Sequence, residues 1–212
     1  MPIEKVAVIG AGTMGSGIAQ VCAQVGWETR LFDAFPEGLE AGMSRIDAFW
    51  DKGIARGKTT PEQKDEWTSN LHPTSDMVSA VRDADMVIEA VPEVLQIKAR
   101  VFHVLGEETK EDCLLATNTS SLPITDIAAA SGRPDRVIGM HFFNPVPIMK
   151  LLEVVRHGSC SEDTIVAAQS IGYAMGKETI LVNDVPAVSY THLRAHETPE
   201  HRVCRLLVEK KK

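Results

Sequence analysis

Short apolar runs alternate along this chain with longer segments in which apolar residues recur at helical spacing. Val6-Ala7-Val8-Ile9, Thr29-Arg30-Leu31-Phe32, Ala84–Val91, Cys113–Thr117 and Arg136–Met140 have the length and composition of buried strands. Between them, Ile18–Ala23 continues as a helix, and the spacing of Leu39, Met43, Ile46, Phe49, Trp50 and Ile54 predicts a second over 37–57. Thr60-Pro61-Glu62-Gln63 announces a third, with a capping hydroxyl, proline at the first helical position and a glutamine three residues past the cap. Leu95, Ile97, Val101, Phe102 and Leu105 mark the apolar face of a fourth. Strands alternating with helices predict an α/β fold, a doubly wound, mostly parallel sheet of Rossmann type with a helical insertion after the second strand.

In such a sheet ligands sit beyond the C-terminal ends of the strands, so the residues just after each apolar run carry most information. The first run breaks into Gly10-Ala11-Gly12-Thr13-Met14-Gly15, and a helix follows. In that context Gly10 allows a tight turn, Gly12 a close approach of backbone to pyrophosphate, and Gly15 close packing of helix on sheet, with the helix N-terminus offering N–H donors to phosphate. Asp33 ends the second strand 23 residues past Gly10. A carboxylate there accepts hydrogen bonds from a ribose diol and repels a 2′-phosphate, and Ala34-Phe35-Pro36-Glu37 holds no cation to offset it, so NAD is expected over NADP.

With 44% hydrophobic and 24% charged residues, the 212-residue chain reads as one globular core or one domain plus part of another. No apolar run approaches the ~20 residues of a membrane helix, and neither a leader nor a membrane partner is expected. Residues 1–188 carry 16 Lys and Arg against 26 Asp and Glu, which leaves no broad basic face for nucleic acid. Lys52, Arg56 and Lys58 form a local basic cluster, either a solvated helix end or a ligand contact. Cys22, Cys113, Cys160 and Cys204 lack metal-ligand spacing and read as free thiols, so a cytoplasmic location and no metal are expected.

His141 closes the strand at 136–140, at the rim where cofactor belongs. It is either a general base for a hydroxyl proton or a core histidine with a satisfied N–H. Glu153 lies within the apolar run Met149–Val155, where a carboxylate is expensive without a partner. It either orients His141 or faces water beside Lys150. No G-x-S-x-G elbow, H-E-x-x-H or paired metal motif is present, and hydride transfer requires none of them.

Taken together, Gly10–Gly15, Glu89-Ala90-Val91-Pro92-Glu93, Asn118-Thr119-Ser120-Ser121 and, above all, the run from His141-Phe142-Phe143-Asn144-Pro145-Val146-Pro147 to Glu153 resemble the NAD-binding domain of the 3-hydroxyacyl-CoA dehydrogenases, in particular their bacterial 3-hydroxybutyryl-CoA branch, from about Ile3 to Pro186. The resemblance implies that His141 is the catalytic base, Glu153 its acidic partner, and Ser120 and Asn144 polar groups around substrate and nicotinamide. It also implies cofactor contacts from Asp33, Glu93 and Lys98, an acyl-CoA substrate, a role in fatty-acid or butanoate metabolism, and a homodimer for full-length members. A related branch, the gulonate dehydrogenase and lambda-crystallin group, shares the glycine fingerprint but varies the segment after the histidine. A non-catalytic NAD-binding module would require a broken His–Glu pair.

After Pro186 the likeness stops. Ala187 stands where the family pattern has Gly, and Thr191 where it has an active-site Asn. Residues 189–212 carry six Lys and Arg against three Asp and Glu, and they include His192, His196 and His201, whose spacing is interrupted by Pro199. The string resembles translated sequencing-adapter sequence. The expectation is therefore a Rossmann domain over 1–186, a foreign tail over 187–212 that packs poorly, and no C-terminal helical domain. Such a chain would bind NADH weakly, turn over little substrate and not form the family's dimer.

Overall fold

The computed structural model describes residues 3–184, so the expectations for 187–212 lie outside the described residues. The chain runs β1 (Lys5–Ile9), α1 (Thr13–Val25), β2 (Glu28–Phe32), α2 (Pro36–Ala55), α3 (Pro61–Ser69), β3 (Leu71–Thr74), α4 (Met77–Val81), β4 (Met86–Glu89), α5 (Leu95–Glu108), β5 (Leu114–Thr117), α6 (Ile124–Ala130), β6 (Val137–Phe142), β7 (Leu151–Arg156), α7 (Glu162–Ala174) and β8 (Glu178–Asn183). The strands form one sheet in the order β3-β2-β1-β4-β5-β6-β7-β8. The first six are parallel in the doubly wound order 3-2-1-4-5-6, β7 is antiparallel to β6, and β8 is parallel to β7. The predicted fold class and the helical insertion are both present, with α2 and α3 between β2 and β3.

Each central strand is buried on both faces, which explains its unbroken apolar composition. On β1, Val6 and Val8 join Ile18, Ile46, Trp50 and Ile165 in one core under α1, α2 and α7, while Ala7 and Ile9 join Val81, Phe102, Leu105 and Ile127 in a second under α4, α5 and α6. The capping box that opens α3 is formed as the sequence predicts. The Gln63 amide N–H donates to Thr60 Oγ1 at 3.3 Å and the Thr60 N–H to Gln63 Oε1 at 3.0 Å. Helix α2 ends at Ala55, earlier than the pattern suggests, because Gly57 takes φ +65° and cannot continue it. Strands β3 and β8 were not apparent from the apolar pattern. Leu71 is the one buried residue of β3, Val182 the one of β8, and both strands lie at sheet edges. Burial pushes the Cys22 and Cys113 thiols up to about 12, so both stay protonated and inert.

The turn from β1 into α1 is the tightest place in the fold. Gly10 takes φ +101° as its N–H donates to the Phe32 carbonyl at 2.8 Å, and a Cβ on Gly15 would lie 1.7 Å from the Gly10 carbonyl oxygen. Nothing lies within 4 Å of the corresponding position on Gly12. Gly15→Ala should therefore destabilise the protein by about 1–3 kcal/mol or more, as overpacking does, and Gly12→Ala by about 1 kcal/mol or less. Urea denaturation of both variants checks the ordering, and equal midpoints would contradict it.

Candidate active site

The order of strands reverses between β1 and β4, and a cleft of about 400 Å³ opens there at the C-terminal strand ends. It is lined by Met14, Ala90, Val91, Glu93, Asn118, Ser120, His141, Phe142, Phe143 and Asn144. Five of the residues singled out in the sequence, Met14, Glu93, Ser120, His141 and Asn144, thus meet in one place.

The glycine-rich loop forms one wall. No side chain caps α1 at Gly12, so the amides of its first turn remain available to an anion. Asp33, just past β2, accepts from the Ala11 N–H at 2.7 Å through Oδ2 and from the Phe35 N–H at 3.0 Å through Oδ1. Each carboxylate oxygen retains a second lone pair for a ribose hydroxyl. The Ala11 carbonyl in turn accepts from Arg45 Nη1 of α2 at 2.9 Å. Arg45 was not apparent from sequence, because nothing in the helical pattern of α2 separates it from a solvated cation. The open space at Gly12, the uncapped helix start and Asp33 together fit a dinucleotide.

His141 on β6 stands directly opposite Glu153 on β7, and Nδ1 lies 2.7 Å from Glu153 Oε2. The side chains are 15% and 9% exposed, so the pair is shielded while the ring still borders the cleft. With Nδ1–H donated to the carboxylate, Nε2 carries the lone pair and can accept a proton. The Phe143 ring packs on the imidazole with centroids 4.7 Å apart. Of the two readings left open for Glu153, the structure has the partner of His141 and not the wet face beside Lys150.

Glu93 occupies the opposite rim. Its Oε1 accepts from Thr119 Oγ1 at 2.5 Å, from the Ser120 N–H at 2.9 Å and from the Ser121 N–H at 3.3 Å, which fixes the turn after β5. Burial opposes its charge, yet these donors together with Lys98 hold the carboxyl below the usual glutamate range. Asn118 closes the floor, its Oδ1 accepting from the Phe142 N–H at 3.0 Å.

Lys98, expected as a cofactor contact, lies just beneath the wall of the cleft. Its side chain has no exposed surface in this structure, and Nζ donates to Glu89 Oε1 at 2.7 Å with Glu93 Oε2 at 3.4 Å, so it underlies Glu93 and does not line the cleft. The reason is Glu89, a fully buried carboxylate at the end of β4 that takes the ammonium as its counter-ion; burial still pushes the Glu89 carboxyl up. Glu89 is a further residue of the site, and an acid within an apolar run, the signal that marks Glu153, was there to find it. Lys177, also outside the expected set, sends its buried ammonium to the carbonyls of Val146 at 2.5 Å and Met149 at 2.9 Å, and so holds the loop that carries Asn144. Lys52, Arg56 and Lys58 are exposed at the end of α2 and line no part of this cleft.

The chain has counterparts among known proteins. The family profile described as "3-hydroxyacyl-CoA dehydrogenase, NAD binding domain" matches residues 5–185. A probable 3-hydroxybutyryl-CoA dehydrogenase of Bacillus subtilis is 44% identical over 186 residues, 88% of this chain and 64% of that protein. The crystal structure of FadB2 of M. tuberculosis superimposes with a TM-score of 0.87 at 36% identity, covering 90% of this chain and 68% of that one. That of (S)-3-hydroxybutyryl-CoA dehydrogenase PaaH1 from Ralstonia eutropha gives 0.85 at 32% identity, covering 94% and 75%. The chain thus spans a little under two thirds of the length of the Bacillus relative. With the profile matched across the whole described sheet, the chain belongs to the 3-hydroxyacyl-CoA dehydrogenase family, through its NAD-binding domain.

Proposed function

We propose that this protein acts in the NAD-dependent oxidation of (S)-3-hydroxyacyl-CoA to 3-oxoacyl-CoA, with 3-hydroxybutyryl-CoA as the short-chain case, in fatty-acid or butanoate metabolism in the cytoplasm. The observation that carries the reading is the His141–Glu153 pair, 2.7 Å apart and bordering the same cleft as Ser120 and Asn144. In this reading His141 Nε2 takes the proton of the 3-hydroxyl. Glu153 keeps Nδ1 protonated beforehand and stabilises the imidazolium formed, so the charge-separated state is met by a group already in place. Ser120 and Asn144 orient the substrate oxygen and the carboxamide side of the cofactor. Bound NAD supplies the hydride acceptor. Gly10–Gly15 and the start of α1 hold its pyrophosphate, and Asp33 and Glu93 hold its riboses. The names of the relatives support the acyl-CoA class over the gulonate dehydrogenase branch. Among the described residues, no helix is long and apolar enough to cross a membrane.

Two experiments test this. A chimaera joining residues 1–184 to the remaining part of the Bacillus relative should oxidise NADH in the presence of acetoacetyl-CoA, and His141→Ala within it should lower turnover by about 10²–10⁴-fold while NADH binding is retained. Glu153→Gln should cost less, because the amide still accepts from Nδ1 but carries no charge. In the double variant the losses should not multiply; if they do, the two residues do not act as a unit. The second experiment concerns cofactor choice. Unit charges 4 Å apart interact by about 1–4 kcal/mol between bulk water and a protein surface. Asp33→Asn, which keeps an acceptor for the Ala11 N–H, should therefore narrow the preference for NADH over NADPH by about tenfold or more in a fluorescence titration. Tighter binding of NADPH than NADH by the unaltered chain would rule out the role of Asp33.

A further inference from the structure

Strand β6 runs three residues past its last pairing with β5, which joins Gly139 to Thr117, so the backbone of that overhang meets no strand on the β5 side. The Phe142 N–H, part of the overhang, donates instead to the side chain of Asn118, with Oδ1 at 3.0 Å. Asn118 is the first residue after β5, and its own N–H donates to the Glu89 carbonyl at 2.8 Å. Tied to backbone at both ends, its carboxamide has one orientation: only the oxygen can accept from the Phe142 N–H, which turns the NH2 group the other way. Among the described residues none accepts from Nδ2, and Asn118 lines the cleft together with His141. A carboxylate would satisfy the Phe142 N–H equally well. What the amide adds is a donor, in a cleft where the Glu93 carboxylate and the Nε2 lone pair of His141 are acceptors.

We propose that Asn118 is a further catalytic residue, whose Nδ2–H donates to the oxygen on the reacting carbon of the substrate. The proposal rests on the reading of His141 as the base. When His141 Nε2 takes the hydroxyl proton, the O–H bonding pair stays on that oxygen. The charge persists until the C–H pair leaves as hydride for bound NAD and the C=O bond forms. A donor already fixed at the oxygen stabilises this charge without reorganisation. Asn118 is placed for the task because its amide hangs from Phe142, the residue next to His141, so one strand end presents both base and donor. The pyrophosphate and riboses are assigned to groups on other elements, the glycine-rich loop, Asp33 and Glu93.

The test uses two substitutions that share only the loss of the donor. Asn118→Asp keeps an acceptor for the Phe142 N–H and adds a charge, whereas Asn118→Leu removes the acceptor and adds none. In the chimaera with the remaining part of the Bacillus relative, both should lower kcat by about 10²–10³-fold, the scale of one oxyanion donor. NADH affinity, measured in the 212-residue chain, should be unchanged in both. A loss of turnover in Asn118→Leu alone would make the bond to Phe142 the whole of its role, and a loss in Asn118→Asp alone would make the effect one of added charge; either overturns the proposal. So does a parallel loss of NADH affinity in both variants, which would assign the amide to the cofactor. His141→Ala separates the two levels: if turnover survives it, the reading of His141 fails and the proposal with it, whereas a loss there with none in either Asn118 variant overturns the proposal alone. If the chimaera is inactive, the Asn118 side-chain amide resonance of the 212-residue chain decides. A resonance that moves when acetoacetyl-CoA is added to the NADH-saturated chain supports the proposal, and one that moves only with NADH, or with neither, overturns it.

Discussion

A charge buried in a protein interior must find its counterpart there, and in this molecule that constraint is applied twice, at the ligand edge of the sheet. Glu89 ends β4 with no exposed surface, and Glu153 sits within β7 at 7%. Neither could remain ionised alone at acceptable cost, since breaking a buried pair typically costs about 3–5 kcal/mol. Each therefore dictates the placement of a cationic or proton-bearing partner: Lys98 reaches from α5 to Glu89, and the His141 ring is turned so that Nδ1 faces Glu153. Other groups of the cleft connect to these two pairs. Lys98 Nζ lies 3.4 Å from Glu93 Oε2, Glu93 Oε1 accepts from Thr119 Oγ1 and from the Ser120 N–H, and His141 borders the same cleft.

The glycine-rich loop is held by the same logic with weaker groups. Ala11 gives its N–H to Asp33 and receives Arg45 at its carbonyl, so the peptide units on both sides of it are fixed before any phosphate arrives. A loop immobilised in advance loses less entropy on binding than one that must be ordered by the ligand. Asp33 thus contributes to the geometry of the loop as well as to the choice of cofactor, and a substitution that removes its oxygens would disturb both. This is why an amide is a cleaner probe of its charge than an alanine.

Much of this was legible in the sequence where steric or dielectric demands are severe. Gly10 and Gly15 stand where a side chain would collide with backbone, and Glu153 announces itself as an acid among Leu151, Leu152, Val154 and Val155. The capping box of α3 is local and was equally plain. What escaped notice depended on contacts between distant segments. The partner of Lys98 is one case, since the lysine occupies a helix position that a solvated side chain could fill and only the fold places Glu89 beside it. Arg45 and Lys177 donate to backbone carbonyls 34 and 28 to 31 positions away, and such acceptors leave no mark on residue type. Edge strand β3 was hidden because His72 and Pro73 are exposed, and a proline is tolerated there since an edge does not require every N–H.

The single antiparallel step in the sheet explains why the histidine and its acid meet where they do. A parallel crossover leaves the ligand edge at the end of one strand and returns to the next strand at the opposite edge, so the first residues of that next strand lie far from the site. Between β6 and β7 the chain instead turns back over residues 143–150, and β7 starts at the ligand edge. Glu153, the third residue of β7, therefore lies opposite His141, the fifth of β6, with both at the rim. Directly opposed residues on antiparallel strands have Cβ atoms only about 4.5–5.5 Å apart, close enough for imidazole and carboxylate to bond without distortion. The same reversal leaves a loop at the rim, and that loop carries Asn144. Lys177, donating to the carbonyls of Val146 and Met149 from below, gives this loop the fixed backbone that a side chain at the cleft requires.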